Sequence, residues 1–68
     1  MIEELKTYIC DRIPTDDDIL QAMVIVKKER VVIKLMWNVL YSGTYHVIIA
    51  HDSSLESVKA QMPTIYPV

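Results

Sequence analysis

The feature that most constrains the fold of this chain is the alternation of side chains between Arg30 and Leu40. One of the two alternating sets is uniformly apolar and consists of Val31, Ile33, Leu35, Trp37 and Val39. A period of two places such a set on one side of a β-strand. β-branched and aromatic side chains also fit a pleated surface well. The alternation therefore predicts a strand with one face in the core.

A second alternating run, from Tyr45 to His51, follows the only glycine, Gly43. A three-residue loop beginning at Tyr41 and ending at Gly43 would pair Val39 with Tyr45 and keep the apolar positions on one face. A two-residue loop would mix apolar and polar residues on both faces. Glycine also suits the third loop position, which needs a left-handed backbone. We predict a hairpin with the three-residue loop.

An earlier strand would complete a three-stranded antiparallel β-meander. The consecutive β-branched residues 24–26 favour a strand that begins near Gln21, after one helical turn capped by Thr15. The polar segment Lys27–Arg30 would be the turn into the hairpin. Helix and strand patterns both fit residues 18–23, and the sequence does not decide between them.

Helices are predicted on either side of this meander. Apolar residues recur at helical spacing from Ile2 to Ile13, and Pro14 would end that helix. The spacing of Ser53 and Glu56 is that of a capping box, which predicts a second helix of about ten residues before Pro63. Both helices should cover the face of the sheet that carries Trp37.

The predicted architecture is an α+β fold, with helices packed on one face of the three-stranded sheet in the order α-β-β-β-α. Residues 1–68 should form a single small domain, because chains of this length have room for one core. The tail Pro63–Val68 could be an extended arm or a short C-terminal edge strand.

Composition suggests burial against another molecule. Hydrophobic residues make up 51% of the 68-residue chain, which is high for a small monomer with so much surface. The net charge of −2 provides no overall basic field for nucleic acid. The single cysteine, Cys10, allows no internal disulfide, and no apolar run is long enough to span a bilayer. We expect a cytoplasmic protein that does not enter membranes.

Residues that could carry chemistry are few and scattered. His46 and His51 should point to opposite faces of a strand, which prevents them from sharing a metal ion. The run Asp16–Asp18 suits the start of a helix better than a calcium loop, which alternates its ligands and includes a glycine. Cys10 has no neighbouring base in the sequence. We predict no catalytic residues, no metal site and no cofactor.

The second face of the sheet is neither clean core nor clean surface, and it is our candidate contact surface. It mixes methionine and aliphatic residues with basic ones, as adaptable protein interfaces do. The predicted partner-binding residues are Met23, Ile25, Lys27, Arg30, Val32, Lys34, Met36 and Ile48. We expect a non-enzymatic interaction or regulatory module that binds a protein partner or a second copy of itself. The alternatives are a nucleic-acid-binding module using Lys27, Lys28, Arg30 and Lys34, and an enzyme with a site shared across a dimer.

Overall fold

The computed structural model describes residues 4–62 and shows an α+β fold in the order β-α-β-β-α. The elements are β1 (Glu4–Cys10), α1 (Asp16–Glu29), β2 (Val31–Val39), β3 (Gly43–Ile49) and α2 (Leu55–Lys59). The strands form one sheet in the order β1-β2-β3. β1 runs parallel to β2, whereas β2 and β3 are antiparallel. The α+β class is confirmed, but the predicted all-antiparallel meander is wrong because β1 supplies a parallel strand.

The predicted helix from Ile2 to Ile13 is wrong where the structure describes it, because Glu4–Cys10 forms a strand. Its apolar spacing fits both structures, since Leu5 and Ile9 are four residues apart and share a face in either one. The strand is stabilised by a partner distant in sequence, with Glu4 beside Val31 and Cys10 beside Trp37 in parallel register. The beginning of the predicted helix, at residues 2 and 3, lies outside the described range.

The strand predicted from Gln21 to Val26 is also wrong, because these residues belong to the fourteen-residue helix α1. The predicted N-cap at Thr15 is confirmed. Its hydroxyl accepts a hydrogen bond from the backbone N–H of Asp18 at 3.2 Å, and its own N–H donates to the Asp18 carboxylate at 2.9 Å. This capping box satisfies two main-chain donors and starts the helix. The helix ends at Arg30, which adopts a left-handed conformation with φ of 56°.

The hairpin between β2 and β3 is confirmed, with a register that differs by two residues from the prediction. Val39 pairs with Gly43 and Trp37 pairs with Tyr45, so the loop consists of residues 40–42. Tyr41 and Gly43 both have positive φ values, of 67° and 100°. A shift of two residues preserves the face of every side chain. The predicted core face of the hairpin is therefore correct.

The core lies between this face of the sheet and both helices. Among residues 4–62 the buried cluster consists of Ile19, Ala22, Val26, Val31, Ile33, Leu35, Trp37, Val47, Ile49 and Val58. Trp37 is the largest of these side chains and stacks at a tilt on Tyr45, with ring centroids 6.3 Å apart. Its indole Nε1 is buried and has no acceptor within the described part of the chain. The helix predicted before Pro63 covers the Trp37 face as α2, but the second covering helix is α1 and not the predicted helix from Ile2 to Ile13.

Helix α2 is shorter than predicted and begins one residue later. Ser54 rather than Ser53 is its N-cap, and Ser57 rather than Glu56 completes the capping box. After the helix, the side-chain amide of Gln61 forms two hydrogen bonds of 2.9 Å with the main chain of Ile48 on the outer edge of β3. The amide thus occupies backbone positions that a further strand would use. The predicted tail Pro63–Val68 lies outside the described residues.

Candidate functional site

The side of the sheet that faces away from the helices, here called the open face, is the main candidate site. Its residues are Leu5, Thr7, Ile9, Val32, Lys34, Met36, Asn38, Thr44, His46 and Ile48. Strand pairing sets them in rows. Thr7, Lys34 and Ile48 form one row, and Ile9, Met36 and His46 form the next. Both described helices pack on the other side of the sheet.

Half of the predicted contact residues come together on the open face. Val32, Lys34, Met36 and Ile48 are neighbours there, and each is half-buried. The central lysine therefore lies in a largely aliphatic surrounding. These four residues are neighbours because the predicted pairing of β2 with β3 forms a hairpin in the structure.

The other half does not lie there, which corrects the predicted site. Met23, Ile25 and Lys27 belong to α1, and Arg30 is its C-cap, so these residues are on the opposite side of the sheet. Met23 and Ile25 pack against the core instead. The physical reason is the change from strand to helix, because a helix sends successive side chains around its axis rather than to two alternating faces.

Strand β1 adds apolar residues to the open face that were not predicted from the sequence. Leu5 and Ile9 extend the open face along β1 and are 55% and 82% exposed. Leu5 stands beside Val32, and Ile9 stands beside Met36. The sequence signal for this strand face is the alternation of Leu5, Thr7 and Ile9. The four-residue spacing of Leu5 and Ile9 also fits a helix, so the alternation alone did not identify the strand.

On the helix side, β1 is only partly covered. α1 packs over β2 and β3. An open groove of about 530 Å³ remains between α1 and β1, lined by Tyr8, Cys10, Arg12, Asp18, Gln21 and Ile25 among others. Outside the groove lining, an ion pair joins β1 to the end of α1, with Lys6 Nζ 2.8 Å from Glu29 Oε1. The pair raises the pKa of Lys6 and lowers that of Glu29 through a hydrogen bond and charge attraction.

The basic residues of the nucleic-acid alternative do not form one surface. Lys27 and Lys28 are exposed in the last turn of α1, and Arg30 is exposed at its C-cap. Lys34 is on the open face, across the sheet from α1. A phosphate backbone lying on either surface would meet only part of the predicted patch.

The candidates for bond-making chemistry remain separate. Burial raises the pKa of the Cys10 thiol, with a further contribution from the Asp18 carboxylate. A raised pKa leaves less thiolate, which is the nucleophilic form. Within residues 4–62, no three His, Cys, Asp or Glu side chains come close enough to hold a metal ion together.

The aspartates at the start of α1 have structural roles. Asp18 accepts from the N–H of Thr15 and, at 2.8 Å, from the Arg12 guanidinium. Asp17 accepts from the side-chain amide of Gln21 at 3.0 Å, and Asp16 lies 3.3 Å from the Lys59 ammonium. These contacts connect α1 to the preceding loop and to α2. They also place negative charge at the positive end of the helix dipole.

The carboxylate of Asp18 should make the stability of the protein depend on acid pH. The hydrogen bond from the Thr15 backbone, then that from Arg12, lowers its pKa from 3.8 to about 2. A lowered pKa stabilises the folded state above the ordinary value of 3.8, and this contribution is lost as the pH falls through about 2. Urea unfolding followed by Trp37 fluorescence should show that loss.

The Asp18→Asn variant should lose less stability than the unsubstituted protein over the same pH range. Asp17→Asn is the matched control, because it removes the same charge from the same helical turn but not the capping box. An Asp18→Asn variant whose stability fell as steeply with acid as that of the Asp17→Asn control would contradict the role given to Asp18.

The chain matches no protein-family model, no curated protein and no solved structure. In the described part of the chain, neither helix has the length and apolar character needed to cross a membrane. The open face and β1 are therefore the structural features that bear on function.

Proposed function

We propose that this chain is a non-enzymatic module that binds a protein partner through the open face of its sheet. The observation that carries the proposal is the group of half-buried residues Val32, Lys34, Met36 and Ile48 on a face that neither described helix covers. Leu5 and Ile9 extend this group across β1.

The chemistry of the face resembles that of an interface core. Protein interfaces favour methionine and aliphatic groups at their centres, with few charges. Met36 is unbranched and polarisable, so it adapts to differently shaped partners. Asn38 and Thr44 lie toward the hairpin end of the strands, and Thr7 lies beside Lys34 at the middle of β1, so hydrogen-bonding groups flank the apolar centre.

Charge on the open face indicates what kind of surface would fit it. Lys34 and His46 are its ionisable residues, and none of its strand positions carries a carboxylate. A partner that buries Lys34 must supply an anion, because an unpaired buried charge is costly. Two copies stacked face to face would instead bring their Lys34 side chains toward each other. The face therefore favours an apolar partner surface that carries an aspartate or glutamate.

The proposal can be tested by capturing proteins from a cell extract and comparing those retained by the unsubstituted chain with those retained by its variants. Met36→Asp places a negative charge at the apolar centre, and Lys34→Glu reverses the charge that selects the partner. Proteins retained by the unsubstituted chain should be lost with both variants, with a decrease in affinity of tenfold or more when the purified partner is titrated. Val24→Asp is the control, because Val24 is 64% exposed on α1, away from the open face.

Folding of each variant is checked by circular dichroism before capture. The proposal fails if the Met36→Asp and Lys34→Glu chains retain the same proteins as the Val24→Asp control. It also fails if the captured proteins are released by substitutions on α1 and not by those on β2.

A further inference from the structure

The outer edge of β1 is a second surface, distinct from the open face. Among residues 4–62, β1 pairs with β2 alone, so the main-chain groups on its other side meet no strand. The opposite edge of the sheet differs, because the Gln61 amide pairs with the main chain of Ile48 there. Unpaired strand edges are ready templates for another strand, and proteins usually protect them.

The usual protections are weak in β1. The strand pairs with β2 over seven consecutive residues without a bulge, and it contains no proline. Its one lysine, Lys6, is folded back toward α1 by its ion pair with Glu29. Leu5, Tyr8 and Ile9 are 55%, 44% and 82% exposed. A long, regular and apolar edge of this kind favours strand addition.

The sequence of β1 is complementary to itself when two copies run antiparallel about Thr7. Leu5 then lies opposite Ile9 of the second copy, and Ile9 lies opposite Leu5 of the second copy. Thr7 faces its own counterpart at the two-fold axis. Opposite residues in an antiparallel pair share a face, so the two apolar pairs meet on the open-face side and flank a threonine pair. On the helix side, Lys6 faces Tyr8 of the second copy.

We propose that the occupant of this edge is β1 of a second copy, which joins two chains into a dimer with one continuous six-stranded sheet. Two seven-residue strands contribute roughly six to eight main-chain hydrogen bonds. With the exposed Leu5, Tyr8 and Ile9, the buried area is on the order of 1,000 Å² in total, at the low end for specific interfaces. A reversible dimer with a dissociation constant in the micromolar range is expected.

The edge contact is additional to the proposed function, because it uses the main chain of β1 together with Leu5, Thr7 and Ile9 at the margin of the open face and not the residues at its centre. In the dimer both open faces lie on the same side of the six-stranded sheet. The central residues Lys34 and Met36 of each copy remain free for another partner. Either proposal can therefore fail without the other.

Disulfide trapping tests the register directly. In a Cys10→Ser background, Thr7→Cys places two thiols at the two-fold axis, where opposite Cα atoms are about 4.5–5.5 Å apart, within reach of a disulfide. The control is Leu5→Cys in the same background. Its thiols would be four residues apart along the strands, or about 14 Å, which is too far to bond. Mild oxidation should link the first variant into dimers and leave the second unlinked.

A charge-exchange experiment tests the same pairing without a covalent bond. Leu5→Lys and Ile9→Glu should each weaken the dimer by tenfold or more in sedimentation equilibrium. An equimolar mixture of the two should recover association, because the introduced lysine of one chain lies opposite the introduced glutamate of the other. Met36→Asp should leave the dimer intact.

Three results would overturn the edge dimer. One is a chain that stays monomeric up to millimolar concentration. Another is equal cross-linking of the two cysteine variants. The third is a dimer abolished by Met36→Asp but insensitive to the charge exchange, which would place the contact between copies on the open face.

Discussion

The substitution Trp37→Ala should lower the free energy of unfolding by about 3–5 kcal/mol. Trp37 is 1% exposed, is the largest side chain of the core and lies on the middle strand of the sheet. Its removal leaves a cavity between the sheet and the helices and takes away the tilted stacking on Tyr45. Small domains have total stabilities of only about 5–15 kcal/mol, so much of the population should unfold at moderate urea concentration.

Urea denaturation followed by circular dichroism measures this effect, because the substitution removes the only tryptophan. Tyr41→Asn is the matched control. Tyr41 is 98% exposed and has a positive φ, which asparagine adopts more easily than tyrosine. The control should stay within about 0.5 kcal/mol of the unsubstituted protein. Equal midpoints and slopes for Trp37→Ala and Tyr41→Asn would show that the indole is not at the centre of the core.

Ile19→Ala should cost about 2–5 kcal/mol, whereas Leu20→Ala should cost less than about 1 kcal/mol. The two residues are neighbours of similar volume in the second turn of α1. Ile19 is fully buried against the sheet, while Leu20 is 46% exposed. Alanine favours helix formation, so neither change weakens the helix itself. The difference between the two therefore measures packing of α1 on the sheet.

Further substitutions along α1 test whether this segment is a helix or a strand. Helical packing predicts large losses for alanine or glycine at Ile19, Ala22 and Val26, and a small loss at Val24. A strand would instead place Ala22, Val24 and Val26 on one face. A loss at Val24 as large as that at Val26 would contradict the helix.

The hairpin could be predicted from the sequence because its signals are local and agree with one another. Alternating apolar residues predict the faces of β2 and β3, and Gly43 marks the turn. The register was wrong by two residues because the loop begins at Leu40 and places Tyr41 in a positive φ conformation. That conformation is uncommon for a residue with a large side chain, and the local sequence does not signal it.

β1 and α1 could not be assigned from local patterns, since each pattern fits two structures. The four-residue interval between Leu5 and Ile9 suits a helix and a strand equally. β1 becomes a strand through parallel pairing with β2, more than twenty residues away along the chain. In α1, the β-branched residues at 24–26 suggested a strand, but the capping box at Thr15 and the burial of Ile19, Ala22 and Val26 on one helical face decide the structure.

The candidate site was predicted to the extent that it depends on the hairpin. Val32, Lys34, Met36 and Ile48 lie together because β2 and β3 were assigned correctly. The remaining predicted residues lie on the other side of the sheet because they belong to α1 or its C-cap, namely Met23, Ile25, Lys27 and Arg30. Leu5 and Ile9 lie on the open face because β1 pairs in parallel with β2, a segment far away in the sequence.

The hydrogen bonds between Gln61 and Ile48 have a consequence for aggregation. A sheet with two accepting edges can add copies at both ends and grow into a fibre. Within residues 4–62, the Gln61 amide occupies the main-chain N–H and C=O of Ile48 on the β3 edge, which leaves the β1 edge more open to strand addition. Once two chains have joined there, each remaining edge carries its own Gln61. A further chain adding at either remaining edge would have to displace the Gln61 hydrogen bonds, so Gln61 disfavours growth of the proposed dimer into a fibre.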